Sequence, residues 1–316
     1  MKIKVLDKAT LGEDISFSDI EKFGEVVLYP TSSEDEVLER IKDADAIIIN
    51  KIKITKEVLL HAKNLKIICV AATGYDNIDI KACEEFGVAV CNVVGYSTHS
   101  VAQVTLAMVL SLSVNLQSFT EFVENGNYTK SGVANRLTPV YHELCGKTWG
   151  IVGYGNIGKQ VGNVAKALGC KLLVNKRTKT HGVESVDLET LCKEADIITI
   201  HTPLNESTKG LIDEKMLSLM KKSVILVNTA RGAVTDEEAI CKAIENKEIG
   251  AFGTDVYSQE PFDKTHPFSK IMGYKNVCLT PHMAWGSFES RKRCIEEIAK
   301  NIDSYKNGGT RNRIDL

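Results

Sequence analysis

Trp149-Gly150-Ile151-Val152-Gly153-Tyr154-Gly155-Asn156-Ile157-Gly158 decides the fold. The apolar run at its start makes a short buried strand, and a G-x-G-x-x-G pattern follows directly. Such a glycine pattern alone is weak evidence. Here it follows a strand, opens a helix at Asn156 and reaches a second strand, Lys171–Val174, roughly 20 residues on. Gly153 allows the tight turn, Gly155 lets a pyrophosphate approach the backbone, and Gly158 lets the helix pack on the strand. The helix N-terminus then offers unpaired N–H groups and a positive dipole end to phosphate. Gly153, Tyr154, Gly155, Asn156, Ile157 and Gly158 are therefore the predicted centre of a dinucleotide site.

Working outward, Ile197–His201, Val224–Val227, Gly250–Val256 and Val277–Thr280 bring the strands of this half to six. Helices between them begin at Asn156, near Asp187, near Asp213 and at Thr235, where Thr235-x-x-Glu238 reads as a capping box. That pattern fits a Rossmann sheet. Upstream, Ile3–Leu6, Val26–Leu28, Ala46–Ile49, Ile67–Ala71 and Val88–Val93 read as five strands, with a capping box at Ser33-x-x-Glu36. Strands that are apolar throughout and separated by helices imply parallel sheets covered on both faces. The predicted fold class is α/β, with two doubly wound parallel-sheet domains. A last helix, roughly Phe288 to Lys306, ends at Gly308-Gly309.

The bulk properties agree with this reading. The chain has 316 residues, 43% hydrophobic and 25% charged, which suits a globular protein of two domains. Thirty-nine basic residues against 41 acidic give a net charge of −2, so nucleic acid and anionic membranes are not expected partners. Nine cysteines without CxxC or zinc-finger spacing predict reduced core thiols and no metal site. The opening MKIKVLD is too charged for a signal peptide, and a cytoplasmic location is expected. Ser100 to Thr120 carries no charge, yet nine of its positions are polar, too many for lipid. It reads as a buried or subunit-interface helix.

The end of the second strand usually holds an acidic residue for the ribose 2′-OH. This chain instead has Asn175-Lys176-Arg177-Thr178-Lys179, a cationic turn suited to a 2′-phosphate. NADP(H) is therefore favoured over NAD(H), with NAD(H) binding at an exposed basic turn as the alternative.

Three polar groups sit at strand ends in the C-terminal half: Asn228-Thr229-Ala230-Arg231-Gly232, Asp255 through Pro261, and Thr280-Pro281-His282. Open α/β sheets place ligands at these carboxyl ends. Arg231, Glu260 and His282 are the parts needed to reduce a 2-keto acid. Arg binds the carboxylate and polarises the carbonyl, His supplies a proton, and Glu orients the imidazole and keeps it protonated.

At these residues the chain resembles the D-isomer-specific 2-hydroxyacid dehydrogenases. GYGNIG, NTARG, DVYSQEP, LTPH and the Thr73-Gly74-Tyr75-Asp76-Asn77-Ile78-Asp79 loop occur in that family's order, across nearly the whole length. Asn50-Lys51, Gly95-Tyr96-Ser97 and His282-Met283-Ala284-Trp285 look like its glycerate dehydrogenase and hydroxypyruvate reductase branch. The resemblance implies a catalytic trio of Arg231, Glu260 and His282. It adds Thr202, Pro203, Thr229, Ala230, Asp255 and Ala284 to Lys176 and Arg177 around the cofactor, with Asp255 by the nicotinamide. Asn50, Lys51, Thr73, Gly74, Arg231 and Trp285 would line the substrate site. It also implies a flavodoxin-like substrate domain, discontinuous over 1–95 and 286–316, and a nucleotide domain over 96–285 that closes on substrate about a hinge. The 100–120 helix resembles the family's dimerisation element, so a homodimer is expected.

The implied activity is hydride transfer between NAD(P)H and a small 2-keto acid such as hydroxypyruvate or glyoxylate, giving a D-2-hydroxy acid. Reduction of a bulkier keto acid stays open, as does a nucleotide-sensing role like that of the family's corepressors. Among the remaining histidines, His201 is expected to shape the nucleotide cleft, and His99 to cap the long helix. His61, His142, His181 and His266 are expected to be surface or loop residues, and Arg291-Lys292-Arg293 to lie on a solvated helix face.

Overall fold

Aliphatic, β-branched runs form the strands, and their alternation supplies a core on each face of two sheets. The structure, a computed structural model, describes residues 1–176 and 182–316. The chain divides into two units, Met1–Ser97 with Trp285–Leu316, and Thr98–Ala284.

In the first unit the strands are β1 (Lys2–Val5), β2 (Glu25–Leu28), β3 (Ala46–Ile49), β4 (Ile67–Val70) and β5 (Ala89–Cys91), all parallel, in the order β2-β1-β3-β4-β5. That order is the flavodoxin-like one. Ile3, Val5, Ile48 and Ile67 face the final helix, Phe288–Lys306, through Ile295, Ile298 and Ile302. Ile47, Ile49, Ile68 and Val70 pack on the other side with Val37, Ile41 and Leu59. Ser33 makes the capping box with Glu36, and Gly308 at φ 74° takes the chain out of the last helix. Arg291 and Arg293 are not simply a solvated face. Arg291 binds Asp14 and the carbonyls of Leu11 and Gly286, and Arg293 binds the carbonyl of Tyr96.

The second unit holds β6 (Thr148–Val152), β7 (Lys171–Asn175), β8 (Glu184–Ser185), β9 (Ile197–Ile200), β10 (Ile225–Asn228), β11 (Ala251–Thr254) and β12 (Val277–Leu279). They run parallel in the order β12-β11-β10-β9-β6-β7-β8. This is a Rossmann order, reversing between β6 and β9. Sequence reading counted six strands because β8 is two exposed residues with no apolar run.

Two other expectations change. The cap of the helix Glu237–Glu245 is Asp236, whose carboxylate accepts from Ala239 N, while the Thr235 hydroxyl turns back to Gly232 O. The uncharged stretch forms two helices, Thr98–Ser113 and Leu116–Glu124, bent by 67°. Asn115 between them is left-handed at φ 52°. The first helix buries Met108, Val109 and Leu112 against the sheet, whereas the second has no buried residue. No single helix among the described residues is long and apolar enough to cross a membrane. All nine cysteines are free; seven are buried, Cys278 is half-buried and Cys145 is exposed.

Candidate active site

Parallel pairing makes β10, β11 and β12 neighbours, so the three polar segments leave the sheet side by side at its carboxyl edge. At the end of β10, the Asn228 amide accepts from Ala230 N and donates to Arg231 O, folding the turn that presents Arg231. Thr229 meets Thr105 hydroxyl to hydroxyl at 2.9 Å. After β11, Asp255 is 1% exposed. Its carboxylate accepts from the Thr280 hydroxyl at 2.5 Å, Met283 N at 2.9 Å and Ala284 N at 2.8 Å. Burial pushes this carboxyl up, against the opposing pull of those donors and of His282. Asp255, expected at the nicotinamide, is thus also the clamp for the turn that carries His282.

His282 sits in that turn with φ at 52°, a left-handed conformation uncommon for a non-glycine residue. Its Nδ1 lies 2.5 Å from Glu260 Oε2, and the other Glu260 oxygen accepts from Tyr257 N at 3.0 Å. With Nδ1 engaged by Glu260, Nε2 is the ring nitrogen turned away from that carboxylate. Both side chains keep about a quarter of their surface, 22% and 28%. Arg231, Glu260 and His282 therefore arrive at one edge from three consecutive strands, with His282 and Glu260 in direct contact.

The nucleotide motif has the shape that a pyrophosphate needs. Gly153 is left-handed at φ 91°, and a Cβ there would meet the His201 carbonyl at 2.7 Å. A Cβ on Gly158 would lie 2.2 Å from Gly153 O, so this glycine lets the helix Asn156–Ala167 sit on its strand. A Cβ on Gly155 would meet nothing within 4 Å. Gly155 is also the helix N-cap and supplies no side-chain acceptor, which suits the first-turn N–H groups to an anion. Asn156 is exposed and Ile157 half-buried. The Tyr154 ring is 6% exposed and packs in the core, which leaves its backbone as the part that lies in the loop. Thr202 is half-buried and Pro203 exposed, in the loop after β9. Ala284 is 2% exposed, and its carbonyl accepts from Ser100 Oγ. Lys176 follows directly on β7 and is half-buried; Arg177, Lys179 and His181 lie outside the described residues.

His201 directly follows β9, its N–H donating to Val152 O, and neither ring nitrogen has a hydrogen-bond partner among the described residues. Desolvation holds its pKa down to about 3, so the ring is neutral. His99 lies inside its helix and is exposed, rather than capping it. His61 and His142 are exposed as expected. His266, expected as a surface or loop residue, lies in the loop before Pro267–Lys270 but is only 6% exposed. Tyr257, Phe262 and Phe268 surround it, Phe268 N donates to its Nδ1, and its Nε2 lies 3.0 Å from Glu237 Oε2. The spacing of those three aromatics was the available signal.

In the first unit, Asn50 and Lys51 follow β3, and their N–H groups donate to the buried carboxylate of Asp7 at 2.6–3.1 Å. Asp7 was not singled out from sequence, although it stands at the carboxyl end of β1. Thr73 and Gly74 form the turn after β4, where the Thr73 hydroxyl donates to Val93 O. Trp285 packs edge-on against Tyr96 at 6.2 Å within that unit's core, so packing accounts for its position there.

Comparison with known proteins finds relatives along the whole chain. A family model described as "D-isomer specific 2-hydroxyacid dehydrogenase, NAD binding domain" matches residues 106–284. A hydroxypyruvate reductase of Blautia hydrogenotrophica is 33% identical over 100% of both chains. A glyoxylate reductase of Thermococcus litoralis is 37% identical over 98% of this chain and 95% of its own. Among solved structures, an acyclic imino acid reductase in complex with NADPH and D-Arg aligns over 99% of this chain and 100% of its own. Its TM-score is 0.86 at 30% identity.

Proposed function

The chain belongs to the D-isomer-specific 2-hydroxyacid dehydrogenase family, and from that premise we propose that it reduces a small 2-keto acid of the hydroxypyruvate or glyoxylate type, with NADPH preferred over NADH. It is an oxidoreductase acting on CH–OH donors with a pyridine nucleotide. The observation that carries the reading is the 2.5 Å contact between His282 Nδ1 and Glu260 on the strand edge that also bears Arg231.

Gly153–Gly158 and the first turn of the helix Asn156–Ala167 would hold the pyrophosphate. When bound, the reduced nicotinamide supplies a hydride to the keto carbon. His282 Nε2 delivers the proton to the keto oxygen while Nδ1 stays hydrogen-bonded to Glu260. Arg231 is the proposed holder of the substrate carboxylate. Charge grows on the keto oxygen during transfer, so His282 and Arg231 act mainly in the transition state. The NADPH preference is supported by the missing acidic residue after β7, by the cations at 176–179, and by the NADPH held in the imino acid reductase. The proposed setting is a cytoplasmic homodimer.

Glyoxylate, hydroxypyruvate, pyruvate and phenylpyruvate, each with NADH and NADPH, test the reading. Turnover of the first two with NADPH at higher kcat/KM is expected. An advantage of about tenfold for NADH overturns the cofactor preference. A preference for phenylpyruvate overturns the small-substrate assignment.

A further inference from the structure

We propose that Glu237 is a positioning residue for this reaction, holding in place the loop from which Glu260 orients His282. The inference rests on the hydride-transfer reading, because Glu237 acts only through those two side chains.

Glu237 opens the helix Glu237–Glu245 and is 8% exposed. One carboxylate oxygen accepts from Ser258 N at 2.8 Å, and the other accepts from the Ser258 hydroxyl. The preceding N–H, that of Tyr257, goes to Glu260 Oε1 at 3.0 Å. Two successive N–H groups of one loop are thus held by two carboxylates, one of them the partner of His282. From the opposite side, Gly232, next to Arg231, lies so close that a Cβ there would be 2.0 Å from Tyr257 C and 2.2 Å from Ser258 N. The Tyr257 hydroxyl donates to Thr280 O, two residues before His282.

His266 packs beside Glu237. Phe268 N donates to its Nδ1, and its Nε2 lies 3.0 Å from Glu237 Oε2 without hydrogen-bond geometry. The rings of Tyr257 and Phe262 lie 5.9 and 4.7 Å from the imidazole. Burying a carboxylate costs desolvation that a hydrophobic residue would avoid, so stability alone does not account for Glu237. Its bonds go to the loop that carries Glu260. The titratable groups around the dyad are Asp255 by His282, Tyr257 by Glu260, and His266 by Glu237.

The test compares purified Glu237→Ala, Ser258→Ala and Asp236→Ala with the wild type. Asp236→Ala removes the cap of the same helix without touching the loop, and controls for destabilisation. Two quantities are read: kcat and KM with the best keto acid, and the tautomer of the neutral His282 imidazole from its ¹⁵N shifts, assigned by the signal missing in His282→Ala. Glu237→Ala is expected to lower kcat about 100-fold with the KM for NADPH unchanged, and to replace the Nδ1–H tautomer with a mixture. Ser258→Ala is expected to move both in the same direction by less, and decides the matter if Glu237→Ala does not fold. Asp236→Ala is expected to lower Tm and move neither. Unchanged kcat and tautomer in folded Glu237→Ala overturn the proposal, as does an equal movement in Asp236→Ala. If the wild type turns over no keto acid, the hydride-transfer reading fails, while the tautomer measurement still decides the role of Glu237.

Discussion

His201 is the residue whose ionisation the fold opposes most plainly among the described histidines. Its ring nitrogens are buried without hydrogen-bond partners among the described residues, and its pKa is held at about 3 by desolvation. Unfolded, the same imidazole titrates near its ordinary value of about 6.5. Between these two values the unfolded chain binds the extra proton, so stability rises with pH and is lost as pH falls below about 6.5. Going from pH 7 to pH 5 therefore costs about 2 kcal/mol from this group. Carboxylates whose folded values lie below the ordinary range add little in that window, because their unfolded values lie near 4. His201→Asn is expected to flatten the change in urea midpoint between pH 7 and pH 5; an undiminished pH dependence in the variant refutes this account. His201 also marks the limit of sequence reading at this scale. Arg231, Glu260 and His282 were legible because their chemistry and spacing form a pattern. The buried contact of His266 with Glu237 was not, since nothing local in the sequence says that two residues 29 apart will meet.

At the scale of the element, the glycine loop separates what the fold needs from what the ligand needs. Gly158→Ala drives a methyl to 2.2 Å from the Gly153 carbonyl, which only backbone movement relieves. It should lower stability by about 1–3 kcal/mol, and lose nucleotide binding as a consequence. Gly155→Ala places its methyl in open space, at φ −80° and ψ −156°, which alanine tolerates. Its Tm should hold or rise slightly. Its affinity for NADPH should fall about tenfold or more, roughly 1.4 kcal/mol, because the methyl occupies the phosphate approach. Thermal melts and cofactor titration read both variants, and a stable Gly155→Ala with wild-type affinity defeats the assignment. Elements were legible where period and caps agreed, as at Ser33 and in the helix Phe288–Lys306. They were misread where a signal was duplicated or weak. Thr235 and Asp236 both look like caps and the carboxylate takes the role, while β8 carries no apolar run and borrows its existence from pairing with β7.

For the whole molecule, the helix after the 67° bend and the segment that follows it carry the argument about assembly. Leu116, Val123, Val133, Leu137, Val140 and Tyr141 are all more than half exposed, within 26 residues of one unit. A soluble monomer rarely leaves so many large apolar side chains on one stretch of surface, and burying them against a second copy removes them from water. Two copies meeting through the same stretch form a closed twofold contact, in which each change is felt twice. The bend at Asn115 matters here. It takes the second helix away from the sheet that buries the first, and none of that helix's residues is buried. Sedimentation equilibrium at micromolar concentration should give twice the chain mass. Leu137→Glu with Val140→Glu should shift it toward a single chain, since each dimer then buries four carboxylates without partners. A wild type that sediments as one chain under these conditions removes the homodimer from the proposal, and the exposed apolar stretch then needs a different partner.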